Sequence, residues 1–322
     1  MNRRDRKSRG LLGALQAGKR HGQRLARHDG AWNLGERLDD EDIDGRLEQV
    51  RSSVDAWPAP CAQPDPTILQ RELALKTCRA VLDCLPGDAP AADEARTLEA
   101  RILDWDEAAY EPLRGEVRRK ERTPQALRAE LERLPSNVGD AFMERLLGVH
   151  APVRPSRQAD ADHVTFVPSP VEQPLFVADR LSADDVLIDL GCGTGKVCMT
   201  LALFGPARIR GLDYDPVLVR AAERAAGALG VRVDWEVEDA QRVDLTDVTA
   251  IFMFEPFRGP ILHAVLERIR QHSLATPTRL WAHFKTHRPL ESIEWLEPVA
   301  EGPQGLVEYR TLPPGPRGPR VG

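Results

Sequence analysis

The sequence predicts an α/β fold, a doubly wound and mostly parallel sheet preceded by an all-helical N-terminal region. Three observations carry this. Val186-Leu187-Ile188 is a short apolar run leading into Asp189-Leu190-Gly191-Cys192-Gly193-Thr194-Gly195-Lys196-Val197, which reads as a strand covered on both faces, a glycine turn and the start of a helix. From that point strand and helix patterns alternate, as a parallel sheet with crossover helices requires. Upstream, between about residues 31 and 148, apolar residues recur at helical spacing with no strand signal between them.

The first 30 residues hold nine Lys/Arg against Asp5 and Asp29, which gives +7 there and, with −6 for the whole chain, −13 elsewhere. Such an arm reads as a solvated disordered tail; its charge also suits RNA, a ribosome or an acidic membrane, and it shares the acid-poor composition of organelle transit peptides. A helix is expected over Glu36 to Trp57. Asp40-Glu41-Asp42-Ile43-Asp44-Gly45 imitates the first half of a calcium loop, but Arg51 occupies the twelfth position, where a bidentate glutamate is needed, so no metal is assigned. After the proline-rich Pro58 to Pro66, helices are expected from Ile68 to Leu85, Ala91 to Trp105, Glu107 to Lys120, Thr123 to Leu134 (Thr123 as N-cap, Pro124 in the first turn) and Asn137 to Leu147. Residues 149–163 read as a linker and 314–322 as a Pro/Gly-rich tail.

The α/β domain is expected over residues 164–313. Phe166-Val167-Pro168-Ser169-Pro170 introduces a helix over Val171 to Leu181, and the glycine turn follows the first strand. A dinucleotide turn wants G-x-G-x-x-G, and here the third glycine comes one residue early. Asp189 adds an electrostatic objection, because a carboxylate there repels phosphate oxygens and attracts an ammonium or sulfonium. The stretch Asp189 to Gly195 resembles the first motif of the class I S-adenosylmethionine-dependent methyltransferases. That resemblance implies a seven-stranded, mostly parallel Rossmann-like sheet and S-adenosylmethionine as cofactor, with Asp189, Gly191, Gly193 and Gly195 around its methionine portion.

Downstream residues extend the pattern. A second strand from Arg208 to Tyr214 delivers Asp213 near its end, where an acid can accept from ribose hydroxyls. Asp215, Pro216 and Gly230 mark the start and stop of the next helix. Val231 to Asp239 alternates apolar and polar, so an edge strand is expected there. The resemblance implies that Asp239 and Ala240 lie at the adenine, with Glu238 as the rival acid. A fourth strand, Thr249 to Phe254, ends in Glu255-Pro256-Phe257-Arg258. Amino-group methyltransferases carry Asn or Asp, then Pro, then an aromatic residue at this place, so the resemblance implies catalytic roles for Glu255 and Phe257 beside the acceptor; Glu255 departs from the pattern. Phe254 reads as core.

Leu280 to Phe284 reads as strand five, with His283, Lys285 and His287 toward its ligand end; a histidine there serves as a base or as a plain polar strand-end residue. Trp295 to Ala300 and Leu306 to Leu312 read as a closing hairpin, leaving little room for a last helix. The expected function is methyl transfer to nitrogen, either a protein lysine or a small-molecule amine. The Pro168-Ser169-Pro170 segment is similar to one found in a group of protein-lysine methyltransferases. RNA methylation through the basic arm and a nonenzymatic cofactor-binding scaffold are the alternatives. Five cysteines without C-x-x-C pairs argue against zinc or a disulfide framework, and with no long apolar run or signal-type segment the expected location is cytoplasmic.

Overall fold

The computed structural model describes residues 40–60, 68–151, 153, 155–156, 168–284 and 290–313. The basic arm, the C-terminal tail, Phe166-Val167, Lys285 and His287 lie outside the described residues. Two compact units are present, one reaching Trp105 and the other beginning at Asp106, apart from a short excursion at residues 60–62.

The first unit is helical. Helices α1 (Asp40–Asp55), α2 (Ile68–Cys84) and the first half of α3 (Pro90–Arg118) bury Ile43, Leu47, Val50, Leu75, Cys78, Val81, Leu98 and Ile102 in one cluster. These residues recur three and four apart, so each helix turns one apolar stripe inward. Arg71 is fully buried, its guanidinium 4.0 Å from the centroid of the Trp105 ring. The calcium-like segment is helical throughout the described residues, and Arg51 pairs there with Glu48 and Glu94.

Two expected helices, Ala91 to Trp105 and Glu107 to Lys120, are one continuous helix, α3. The expected break at Asp106 carries no Gly or Pro. Pro112, inside the helix, costs one main-chain hydrogen bond without ending it.

The second unit begins in the same helix. The fully buried Asp106 accepts from Arg145 Nε at 2.9 Å, joining α3 to α5 (Ser136–Leu146). Arg114, also buried, donates to the carbonyls of Arg145 and Leu146 and so caps the C-terminal end of α5. Between them α4 (Pro124–Leu131) starts as expected, with Thr123 Oγ1 accepting from the Ala126 amide and Pro124 in the first turn.

After α6 (Glu172–Ala178) come β1 (Val186–Leu190), α7 (Lys196–Phe204), β2 (Arg208–Asp213), α8 (Pro216–Leu229), β3 (Asp234–Val237), β4 (Ala250–Phe254), α9 (Gly259–Ser273), β5 (Arg279–His283), β6 (Leu296–Glu301) and β7 (Val307–Thr311). The seven strands lie in the order β3-β2-β1-β4-β5-β7-β6. The first five are parallel, and β7 runs antiparallel between β5 and β6. The expected doubly wound, mostly parallel seven-stranded sheet is therefore present. The alternating segment forms an edge strand, with Val237 half exposed. Apolar clusters cover both faces: Ile188, Leu212, Ile251, Val265 and Leu280 on one, Leu187, Phe252, Trp281, Cys198 and Leu201 on the other. No helix among the described residues separates β5 from β6.

Candidate active site

The strand order reverses beside β1, and the carboxyl ends of β1, β2, β4 and β5 open there. The turn leaving β1 is possible only with glycine. Gly191, Gly193 and Gly195 have φ of 85°, 54° and 81°, in the left-handed region where a Cβ is penalised. A Cβ on Gly191 would come within 2.5 Å of Pro256 Cβ, and one on Gly195 within 2.4 Å of Trp235 Cη2. Trp235 also covers Gly211 of β2. The backbone is thus held close to its neighbours on one side and left without side chains on the other.

Asp189 is buried at the end of β1 and accepts a long hydrogen bond from the Cys198 thiol at 3.5 Å. Burial pushes its carboxyl up to about 7, and the nearby Asp213 charge adds to the rise. Burial likewise raises the Asp213 carboxyl, against the amides that it binds: Oδ2 accepts from Gly193 N and Oδ1 from Asp215 N, both at 2.9 Å. Asp213 therefore clamps the glycine turn as well as facing the cleft. Sequence reasoning missed this second duty because nothing in spacing reveals which amides a strand-end acid will meet.

Gly191, Asp213, Asp239, Ala240 and Phe257 come together with Leu212, Tyr214 and Ile261 around a cleft with about 260 Å³ of empty space, its mouth included. Glu238, the rival acid, is not among these lining residues; it accepts from the Asp239 amide. Asp239 caps a short 3-10 turn by accepting from Gln241 N at 2.9 Å. Phe257, read as a pocket wall, lines the cleft and also packs in the core at 6% exposure. Asp189, Gly193, Gly195 and Glu255 do not line this cleft.

Glu255 follows β4 and is buried, with φ of 46°. A non-glycine residue in that region is strained, and strain of this kind concentrates at functional sites. Its amide donates to the His283 carbonyl at 2.9 Å, and its carboxylate accepts from Arg258 Nη2 at 2.8 Å. Phe254 is half-buried and stacks on the His283 ring, with centroids 4.6 Å apart and planes within 9°. Phe254 thus joins core packing to the site.

Lys196 opens α7, where the positive end of the helix dipole disfavours a cation. It is buried, and Asp140 Oδ1 at 2.9 Å and Glu144 Oε1 at 2.8 Å hold its ammonium. Asp140 also accepts from the Val171 amide. One carboxylate thereby ties α5, the entrance to α6 and the start of α7 together.

A carboxylate-rich, glycine-lined turn suits a ligand bearing positive charge and hydroxyl and amine donors. The residues present fit S-adenosylmethionine: bare backbone at Gly191, Gly193 and Gly195, a buried acid before the turn, and acids after β2 and β3.

Part of the chain is similar to known methyltransferases. Residues 187–273 match a family described as "Methyltransferase domain". An uncharacterized protein of Methanocaldococcus jannaschii is 34% identical over 90 residues, which cover 28% of this chain and 41% of that one. A protein-lysine N-methyltransferase of Saccharolobus islandicus is 32% identical over 98 residues, covering 29% of this chain and 60% of the relative. The alignments thus span about half the length of these curated relatives. The RNA methyltransferase from Salinibacter ruber, solved with S-adenosyl-L-homocysteine, shares 26% identity over 47% of this chain and 98% of its own, with a TM-score of 0.35. Over residues 187–273, the domain that β1 and its glycine turn organise is thus similar to the methyltransferase domain family.

Proposed function

We propose that the protein transfers a methyl group from S-adenosylmethionine to a nitrogen acceptor, with a lysine side chain of a protein as the preferred class. The observation that supports it most is the set of acids around a side-chain-free turn, Asp189 and Asp213 buried and Asp239 half-buried, at the ends of successive strands. When bound, S-adenosylmethionine supplies an electrophilic methyl on a sulfonium.

The chain's own residues supply position and charge. Asp189 balances the positive methionine end, and the bare backbone at Gly191, Gly193 and Gly195 admits it. Asp213 accepts from ribose hydroxyls, and Asp239 with the Ala240 backbone meets the adenine. Glu255, buried beside Phe257, orients the acceptor amine and takes its proton, since only an uncharged amine has the lone pair that attacks. Arg258 occupies the Glu255 carboxylate in this structure, so an arriving ammonium replaces one cation with another. Holding the two reactants in line accounts for most of the rate.

Lysine is preferred over a free small amine because one relative, 32% identical over 98 residues, is a protein-lysine N-methyltransferase, and the Pro168-Ser169-Pro170 segment resembles that group. Titration calorimetry with S-adenosylmethionine on the full chain, followed by labelled methyl transfer into lysate from a strain lacking the protein, tests this. Binding that weakens in Asp189→Asn, with label in protein, is expected. No binding would refute the cofactor assignment, and label in RNA or in small molecules would refute the acceptor class.

A further inference from the structure

We propose that Trp235 is a positioning residue for the methionine portion of the cofactor: its indole reaches from the edge strand across β2 and shapes the glycine turn from behind. This role rests on the methyltransferase reading above and names what holds that site's backbone in place.

In the register of the sheet, Trp235 of β3 lies directly beside Gly211 of β2. A Cβ built on Gly211 would come within 2.6 Å of Trp235 Cζ3 and 2.7 Å of Cε3, too close for any side chain. The missing side chain is what lets a ring from the edge strand cross β2. The same edge of the indole then reaches the turn after β1: a Cβ on Gly195 would lie 2.4 Å from Trp235 Cη2, 3.0 Å from Cζ3 and 2.9 Å from Ala222 Cβ of α8. One rigid ring thus fills the space that side chains at positions 195 and 211 would take. Cys198 Sγ adjoins it, 2.9 Å from the Gly211 Cβ position, and that thiol is the donor to Asp189.

Gly195 belongs to both turn and helix. Its amide donates to the Cys192 carbonyl and its carbonyl accepts from the Met199 amide, both at 2.9 Å, and it is the N-cap of α7 with φ of 81°. A glycine run without contacts samples many conformations; contact with the indole selects one, and with it the direction of the first N–H groups of α7, which have no partner within the helix. The acids assigned to ribose and adenine are held by other means. The β2–β3 ladder continues past the ring to pair Asp213 with Val237, the Glu238 amide donates to the Asp213 carbonyl at 3.2 Å, and Asp239 caps its own short turn. Disturbing the ring should therefore loosen one end of the cofactor and spare the other.

Titration calorimetry on the full chain with two ligands tests this: S-adenosyl-L-homocysteine, and 5′-methylthioadenosine, which keeps the adenosine and lacks the amino-acid portion. Wild-type protein should bind both. Trp235→Leu should lose about tenfold in affinity for S-adenosyl-L-homocysteine, the worth of one hydrogen bond to a charged group. Its affinity for 5′-methylthioadenosine should stay within about twofold, as for sites that do not share partners. Trp235→Phe, which keeps a flat ring, should recover most of the loss. Gly211→Ala pushes on the ring from a residue outside the cleft lining and should reproduce the Trp235→Leu pattern. A residue that only stabilised the fold would lower melting temperature in these variants without separating the two ligands. Unchanged S-adenosyl-L-homocysteine affinity in whichever of the three variants folds, or equal losses for both ligands, would overturn the proposal. So would wild-type protein that binds S-adenosyl-L-homocysteine but not 5′-methylthioadenosine, since the two ends would then not be separable. Wild-type protein that binds neither ligand would instead refute the methyltransferase reading, and the role of Trp235 with it.

Discussion

Two pairs of buried charged side chains in the second unit are built on opposite plans. Asp106 and Arg145 have no exposed surface and face each other across 2.9 Å, a carboxylate neutralised by a guanidinium. Asp189 and Asp213 are also buried, yet burial raises both carboxyls, the Asp213 charge raises that of Asp189 further, and the donors the structure gives them are a thiol and main-chain amides. The first arrangement holds helices together. The second keeps negative charge in reserve at a place where the backbone is bare, which costs stability in the empty protein and is recovered when a cation arrives. Lys196 belongs to the first plan even though it lies next to the glycine turn, because Asp140 and Glu144 hold it toward the helices.

The largest effect expected from breaking this contrast is Arg145→Ala. It strands Asp106 in the interior, and urea unfolding should report a loss of about 3–5 kcal/mol. Asp189→Asn should do the opposite to the empty protein. The folded carboxyl lies at about 7 against 3.8 when unfolded, so its contribution to stability is fully present below the unfolded value and is lost as pH rises through about 7. At pH 8 that loss is at most ~4 kcal/mol, and the asparagine variant should be the more stable of the two in thermal melts there. The same substitution should weaken S-adenosylmethionine binding about tenfold or more, and wild-type affinity should rise with pH through about 7 as the carboxylate forms.

Next in size is Gly195→Ala. The added carbon meets Trp235 at 2.4 Å and Ala222 at 2.9 Å with φ of 81°, so chemical unfolding should show a loss of about 2–3 kcal/mol. Smallest is Arg258→Ala. Its side chain is 47% exposed, opposite the buried Glu255, and stability should change by less than about 1 kcal/mol.

How much of this was legible before the structure depends on the distance over which each feature is decided. The strand, the glycine turn, the capped helix after Asp215 and the closing hairpin are local, and their residues announced them. Asp189, Asp213 and Asp239 were also within reach, because strand ends in an open parallel sheet face one way. The continuous helix α3 was missed because the expected break rested on no breaker residue; Asp106 lies inside it, bonded to Arg145, 39 positions along the chain. The Trp235 lid over Gly195, the positive φ of Glu255 and the Gln173 amide between Ser169, Gln304 and His283 were illegible for a further reason. Each depends on partners from separate elements meeting in three dimensions, and no periodicity encodes that meeting.

The insertion of β7 between β5 and β6 has a consequence in time. A strand that lies between two earlier ones has no place to pair until they and it have all been made, so this edge of the sheet closes only after residue 311 has been synthesised. Non-local pairing of this kind is slow and leaves strand edges uncovered meanwhile. The turn that precedes β7 carries Gln304 and Gly305, which touch Gln173 and His283. During biosynthesis the glycine-turn end of the domain can therefore mature first, and the surroundings of Gln173 and His283 are completed only with the last strand.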